Sequence, residues 1–128
     1  MIITFAKMKL YENILSKTRT GKKMCAVLID PDKVSVEGCQ KISERSVQSG
    51  VDFFFVGSSI ITGNNFESCI NILKKSSLPV ILFPGNAMQI NENADAILFL
   101  SLISGRNPEM LIGRHVLASP VLKKSKLE

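Results

Sequence analysis

Four short apolar segments, each followed by a cluster of small or polar residues, constrain the fold of this chain more than any other feature. Each is of strand length and rich in residues that suit a strand buried on both faces of a parallel sheet. The segments are Met24–Ile29, Phe53–Val56, Val80–Phe83 and Ala96–Leu100. Stretches with a helical apolar period precede or separate most of them, so the sequence predicts an α/β fold with right-handed crossovers.

Helices are predicted from apolar period and capping residues. A weak helical pattern covers Leu10–Ser16, and Ser35 is a predicted N-cap for a helix that Gly50 ends. Asn64 and Asn65 precede the next helix. A short polar connection follows the third strand, and Pro108 suits the first position of a last helix. The predicted buried face of that helix comprises Met110, Leu111, Val116 and Leu117.

Composition excludes several classes of protein. No apolar run approaches the roughly 20 residues of a membrane span, and the start of the chain lacks a basic region and cleavage site typical of a signal peptide. The net charge is +5, but the lysines are scattered and no nucleic-acid-binding signature is present. No P-loop or dinucleotide fingerprint occurs. We expect a soluble, cytoplasmic protein that binds no nucleic acid.

The cysteines and the single histidine favour structural roles. Cys25, Cys39 and Cys69 are odd in number and form no C-x-x-C pair, which is typical of reduced thiols in a core. They have no zinc-site spacing with His115, which lies in the last helical stretch.

Every predicted strand ends in residues suited to a polar site. In an open sheet or a barrel, the carboxyl ends of parallel strands hold the active site. A carboxylate next to a phosphate-binding turn is a usual arrangement for Mg²⁺. Each cluster alone is also explained by turn chemistry. The clusters are Asp30-Pro31-Asp32, Gly57-Ser58-Ser59, Pro84-Gly85-Asn86 and Ser101.

The same clusters carry a family resemblance that covers the chain from about Leu10 to Glu128. The sequence resembles the geranylgeranylglyceryl phosphate synthase family, in its bacterial branch close to the archaeal enzymes. The motifs that carry the resemblance are Val27-Leu-Ile-Asp-Pro-Asp-Lys33, Val56-Gly-Ser-Ser59, Leu78-Pro-Val-Ile-Leu-Phe-Pro-Gly-Asn86 and Ser101-Leu-Ile-Ser-Gly-Arg-Asn-Pro108.

The resemblance implies a (β/α)8 TIM-barrel enzyme and a reaction. Such an enzyme joins a prenyl diphosphate, usually geranylgeranyl diphosphate, to the 3-hydroxyl of sn-glycerol 1-phosphate, which yields an ether lipid precursor. It also implies Mg²⁺ held by Asp30 and Ser59, a homo-oligomer, and room for peripheral membrane contact. The residues assigned to the diphosphate side are Gly57, Ser58, Gly85, Asn86 and Ser101.

The length of this chain is about half that of such a barrel. A complete barrel takes about 250 residues, so residues 1–128 are expected to form the N-terminal half of one domain, with the first four β/α units. Residues 1–7 have no recognisable counterpart and are expected to be an extension. The catalytic base and the glycerol phosphate loops would then lie in the missing half, and this chain would be inactive alone. The alternatives are another phosphate-binding TIM-barrel enzyme and a non-catalytic half barrel.

Overall fold

The computed structural model describes residues 9–86 and 89–128. The predicted extension over residues 1–7 lies outside the described residues. A 3-10 turn over Pro108–Met110 precedes the last helix. The helices and strands, in chain order, are α1 (Lys9–Arg19), β1 (Ala26–Ile29), α2 (Val36–Gln48), β2 (Phe53–Val56), α3 (Asn65–Leu73), β3 (Val80–Leu82), β4 (Ala96–Ile97) and α4 (Gly113–Leu122).

The four strands form one parallel sheet whose order is the order of the sequence. Leu28 lies opposite Phe55, Phe55 opposite Ile81, and Leu82 opposite Ile97. Right-handed crossovers that always advance in one direction keep their helices on one face, as in a barrel. A doubly wound sheet reverses its strand order instead. The predicted α/β fold with parallel strands is confirmed, and the strand order favours the barrel over the open sheet.

The hydrophobic core lies between the sheet and helices α2 and α3. Phe54 and Val56 of β2 are fully buried there, together with Ile70 and Leu73 of α3. The opposite face of the sheet is open, with Leu28 56 % exposed. Since strand residues alternate between faces, the sheet closes one face with helices and leaves the other to line a cleft.

Capping residues set the limits of α2 as predicted. The Ser35 hydroxyl accepts a hydrogen bond from the Gly38 backbone N–H at 3.1 Å. Gly50 follows the helix with φ +72°, a left-handed conformation that glycine adopts without steric cost. Asn64 precedes α3, but its side chain caps no backbone N–H.

Strand β4 is shorter than predicted. It pairs only over Ala96 and Ile97, although the prediction ran to Leu100. The N–H of Leu98 still donates to the Leu82 carbonyl of β3, but the N–H of Leu100 donates to the Leu98 carbonyl of its own segment. The chain therefore turns away from the sheet after Leu98, which an apolar run cannot reveal.

The last predicted helix is also different. A separate 3-10 turn comes first, and α4 begins at Gly113. The predicted buried face is wrong for Leu111, Val116 and Leu117, which are 40–69 % exposed, whereas Ala118 is buried. Helix α4 faces the cleft with Ala118, and the predicted apolar face does not pack on the sheet. The side chain of Met110 lies outside the described part.

Two of the three cysteines are buried, as expected. Cys39 and Cys69 are free thiols in the α2–α3 contact, with Sγ atoms 3.2 Å apart, and Cys25 is exposed. Within residues 9–86 and 89–128, no helix is long and apolar enough to cross a membrane.

Three carboxylates, here called the basal carboxylates, lie at the amino-terminal edge of the sheet: Asp52 before β2, Asp95 before β4, and Glu128 beside Asp95. Each accepts a hydrogen bond from at least one backbone N–H of a neighbouring element. The backbone of Glu128 also pairs with the outer edge of β4, because its N–H donates to Asp95 and its carbonyl accepts from Ile97. Glu128 thus bonds to the outer edge of the sheet through both of its backbone groups.

Candidate active site

One cleft of about 680 Å³ lies at the carboxyl ends of the four strands. The structure brings all the residues that the sequence predicted for the site into it, from four loops far apart in sequence. The predicted roles of these residues stay predictions. The residues are Asp30, Gly57, Ser58, Ser59, Gly85, Asn86 and Ser101.

The two carboxylate oxygens of Asp30 have different bonding partners. Oδ1 accepts a hydrogen bond from the Asp32 backbone N–H at 3.1 Å, which is the turn-forming contact of an Asp-Pro segment. Oδ2 accepts from the Ser58 hydroxyl at 3.1 Å and lies 3.2 Å from the Lys33 ammonium. The turn chemistry and a role in the cleft are therefore compatible, because each uses one oxygen.

Asp30 is ionised at neutral pH. Loss of hydration is the largest single influence and raises its pKa, but hydrogen bonds from the Asp32 backbone, Lys33 and Ser58 together outweigh it. The net result is a pKa below the ordinary value of 3.8. The Asp30 side chain is 20 % exposed and that of Lys33 is 79 % exposed, so the lysine can leave the carboxylate at little cost.

The turn after β2 places two serines along the cleft. Ser58 is the one whose hydroxyl donates a hydrogen bond to Asp30. Ser59 is its neighbour in the same turn and also lines the cleft. Both hydroxyls are therefore candidates for a hard cation held at Asp30.

Glycines allow the loops to approach this closely. A Cβ on Gly57 would overlap the backbone carbonyl of Phe83, and one on Gly85 would overlap the carbonyls of Ser58 and Ser59. The turns after β2 and β3 are therefore in direct backbone contact. Their glycines are needed for close approach, a use that glycine serves because it has no side chain.

Sequence reasoning missed the role of Asp32. One of its oxygens accepts from the Thr62 N–H at 2.7 Å and the Thr62 hydroxyl at 2.9 Å, and the other accepts from the Gly63 N–H at 3.0 Å. These bonds lower its pKa. Asp32 thereby joins the β1–α2 loop to the β2–α3 loop, and the repeated carboxylate in Asp30-Pro31-Asp32 was the available signal.

The apolar wall of the cleft comprises Leu98, Phe99 and Leu100 after β4 and Ala118 and Leu122 of α4. Glu109, Arg114 and His115 also line the cleft. His115 stacks on Phe99 at 4.2 Å between ring centroids, and its Nε2 lies 2.7 Å from the Leu100 carbonyl. These contacts support the structural role predicted for His115, because they hold α4 to the wall.

The comparison with protein families decides the classification. The model of the PcrB family matches residues 18–128, which is most of the chain. The chain belongs to the PcrB family.

Several curated relatives of this PcrB family member, from bacteria and archaea, are named geranylgeranylglyceryl phosphate synthase. The geranylgeranylglyceryl phosphate synthase of Spirosoma linguale is 52 % identical over 110 residues, and that of Chitinophaga pinensis is 44 % identical over 121 residues. The alignments cover 85 % and 94 % of this chain but only 44 % and 48 % of those proteins. The chain therefore spans about half the length of the curated relatives it matches.

A solved structure agrees with this assignment. The (S)-3-O-geranylgeranylglyceryl phosphate synthase of Thermoplasma acidophilum, in complex with its substrate sn-glycerol-1-phosphate, is 38 % identical and superposes with a TM-score of 0.85. The superposition covers 94 % of this chain and 49 % of that one. The resemblance that the sequence motifs predicted is confirmed, and so is the fold.

Proposed function

We propose that the protein containing this chain is a Mg²⁺-dependent prenyltransferase that joins geranylgeranyl diphosphate to the 3-hydroxyl of sn-glycerol 1-phosphate. The observation that carries the proposal is one cleft that combines an ionised carboxylate and two serines with an apolar wall. A prenyl diphosphate likewise combines a charged head with an apolar tail. The names of the relatives support the assignment.

The donors at Asp30 fit Mg²⁺ bound together with a substrate. The described residues contain no group of three or more His, Cys, Asp or Glu side chains that could hold a metal ion alone. Mg²⁺ is commonly bound by one or two carboxylates plus substrate phosphates and water, so Asp30 with a serine hydroxyl is a sufficient protein contribution. Bound there, Mg²⁺ would neutralise the charge that grows on the departing diphosphate.

The residues of this chain bind and orient the donor substrate. Asp30 and the Ser58–Ser59 turn hold the diphosphate end, and Lys33 becomes available to the phosphates once Asp30 has another partner. The wall at Leu98–Leu100 holds the isoprenoid tail and excludes water from the carbon that reacts. Exclusion of water matters because an allylic cation would otherwise be hydrolysed.

The 128-residue chain is proposed to be inactive alone. It spans half of its relatives, and the open face of its sheet has no second half-barrel against it among the described residues. The test is to incubate the chain with Mg²⁺, geranylgeranyl diphosphate and sn-glycerol 1-phosphate and to measure ether product. A fusion to the remaining half of the Spirosoma linguale relative should restore transfer.

The outcomes separate this function from another phosphate-binding barrel enzyme. Transfer by the fusion supports the prenyltransferase, and transfer by the chain alone would disprove the inactivity of the half. A fusion that folds, binds a sugar phosphate and ignores the prenyl diphosphate would refute the proposed function. Replacing Asp30 by Asn in the fusion is the control, since it keeps an acceptor for the Asp32 N–H and should abolish transfer without changing the fold.

A further inference from the structure

Gln89 is a buried polar side chain in the connection between β3 and β4. It is 3 % exposed, although it belongs to a loop that has no helix in its described residues. A buried polar group lowers stability unless its hydrogen bonds are made. The hydrogen-bond partners of Gln89 therefore indicate its structural role.

The Gln89 side chain joins the turns after β2 and β3. Its Nε2 donates to the backbone carbonyl of Ser58 at 2.8 Å, and its Oε1 accepts from the backbone N–H of Gly85 at 3.0 Å. The orientation of the amide follows from these partners, because a carbonyl needs a donor and an N–H needs an acceptor. The backbone N–H of Gln89 donates to Asn86, so the residue is itself anchored to the β3 turn.

The two turns need such a connection because their contact at Gly85 is steric. The Gly85 Cα faces the carbonyls of Ser58 and Ser59, which are acceptors and cannot bond to each other. Gln89 supplies a donor to one turn and an acceptor to the other. A side chain with only one of these functions would leave a backbone group in the contact unpaired.

We infer that Gln89 is a positioning residue for the diphosphate and Mg²⁺ end of the cleft. It fixes the direction of the Ser58 peptide and, through it, the two serine hydroxyls relative to Asp30. The inference rests on the proposed function for the identity of the ligand. It requires no contact between Gln89 and substrate, and nothing in the family resemblance assigns a role to this residue.

Three variants of the protein test the inference. Gln89→Met keeps the length of the side chain but removes both hydrogen bonds. Gln89→Glu keeps an acceptor for the Gly85 N–H and places a carboxylate against the Ser58 carbonyl. Gln40→Met is the matched control, because Gln40 is exposed on α2 and bonds only to Glu44 among the contacts of its side chain.

The first measurement is amide hydrogen exchange without ligands. In Gln89→Met the Gly85 amide should exchange about fivefold faster, the effect of losing one net hydrogen bond. In Gln89→Glu it should stay protected, and Gln40→Met should match the wild type. Unchanged exchange in Gln89→Met would overturn the inference whatever the function of the protein is.

The second measurement is calorimetric titration with Mg²⁺ and inorganic diphosphate at a temperature where every variant is folded. Both Gln89 variants should bind about tenfold more weakly, as when a residue that orients a metal ligand is lost. Affinity within twofold of the wild type would overturn the positioning role. Absence of binding by the wild type would contradict the proposed function and the ligand assigned to the site that Gln89 positions.

Discussion

The two ends of the sheet use carboxylates in opposite ways. At the amino-terminal end, Asp52 accepts from the Cys25 backbone N–H and pairs with Lys17, each at 3.0 Å. Asp95 repeats the arrangement with the Val80 N–H, and it pairs with a lysine that follows α3. At the carboxyl end, one oxygen of Asp30 has only a hydroxyl and an exposed lysine as partners.

The difference lies in whether the partner can be replaced. The backbone N–H groups that bond to Asp52 and Asp95 lie at the starts of strands and are fixed by the ladder, so these two carboxylates remain structural clamps. The Ser58 hydroxyl can rotate and the Lys33 side chain can move into solvent, so Asp30 can exchange them for a ligand. This agrees with the general division of parallel barrels into a stabilising end and a reactive end.

The largest expected effect tests the reactive end. Asp30→Asn keeps the size of the side chain and the turn contact but loses the charge that would hold Mg²⁺. We expect product formation by the fusion described above to fall at least about 100-fold. The unfolding midpoint in urea should change little, because Lys33 is exposed.

The basal variant Asp95→Asn is the control for that experiment. It carries the same chemical change at the other end of the sheet and should leave activity per folded molecule unchanged. Equal losses of activity in Asp30→Asn and Asp95→Asn would contradict the proposed difference between the two ends of the sheet.

The next effect concerns the contact between the loops. Gly85→Ala places a methyl group against the carbonyls of Ser58 and Ser59, and overpacking of this kind costs about 1–3 kcal/mol of unfolding free energy. Gly38→Ala is the matched control, because its added Cβ meets only side-chain atoms at 3.2–3.3 Å. Equal stability of the two variants in urea would mean that the turns can separate freely.

A smaller effect on stability is expected at the basal carboxylate Asp95. Asp95→Ala leaves the Val80 N–H without its acceptor and should lower the free energy of unfolding by about 1–2 kcal/mol. Asp95→Asn retains an acceptor and loses only the ion pair with Lys74, so its cost should be below about 1 kcal/mol. Thermal unfolding followed by circular dichroism would rank them, and the reverse order would show that the ion pair dominates.

The smallest effect is a pH dependence. The Cys25 N–H bond, followed by the one from Lys17, lowers the pKa of Asp52 below its ordinary value of 3.8. A lowered carboxyl pKa stabilises the fold above the ordinary value, and the gain is lost as the pH falls through the folded-state pKa. Urea midpoints between pH 6 and pH 2 should therefore fall less steeply in Asp52→Asn. The same dependence of the urea midpoint on pH in the wild type and in Asp52→Asn would contradict a stabilising role for the ionised Asp52.

Strand positions, the parallel sheet and the location of the cleft could be predicted from the sequence. A buried parallel strand is a continuous apolar run, and Asp30, Ser58 and Gly85 each lie within two residues of the end of such a run. The α2 limits were predictable for a similar reason, because Ser35 and Gly50 act on backbone groups within three residues of themselves.

The rest depended on contacts between distant segments. The end of β4 is set by the carbonyl to which Leu100 donates, and the exposure of Leu117 by what packs against α4. The clamp roles of Asp32 and Gln89 depend on residues about 30 positions away. The second carboxylate of Asp30-Pro31-Asp32 indicates that Asp32 has a role but not which residues it contacts, and Gln89 carries no local signal at all.

The bond between α1 and Glu128 has a consequence for the order of folding. Lys17 and its partner Asp52 are 35 residues apart in the sequence. The Leu10 N–H and its carboxylate partner Glu128 are 118 residues apart, so this bond can form only after the ribosome has added 118 more residues. At synthesis rates of about 5–20 residues per second, the first helix leaves the ribosome many seconds before its amino terminus can be capped. Because closing so long a loop delays a contact, the first helix of the described residues is among the last to gain all its contacts.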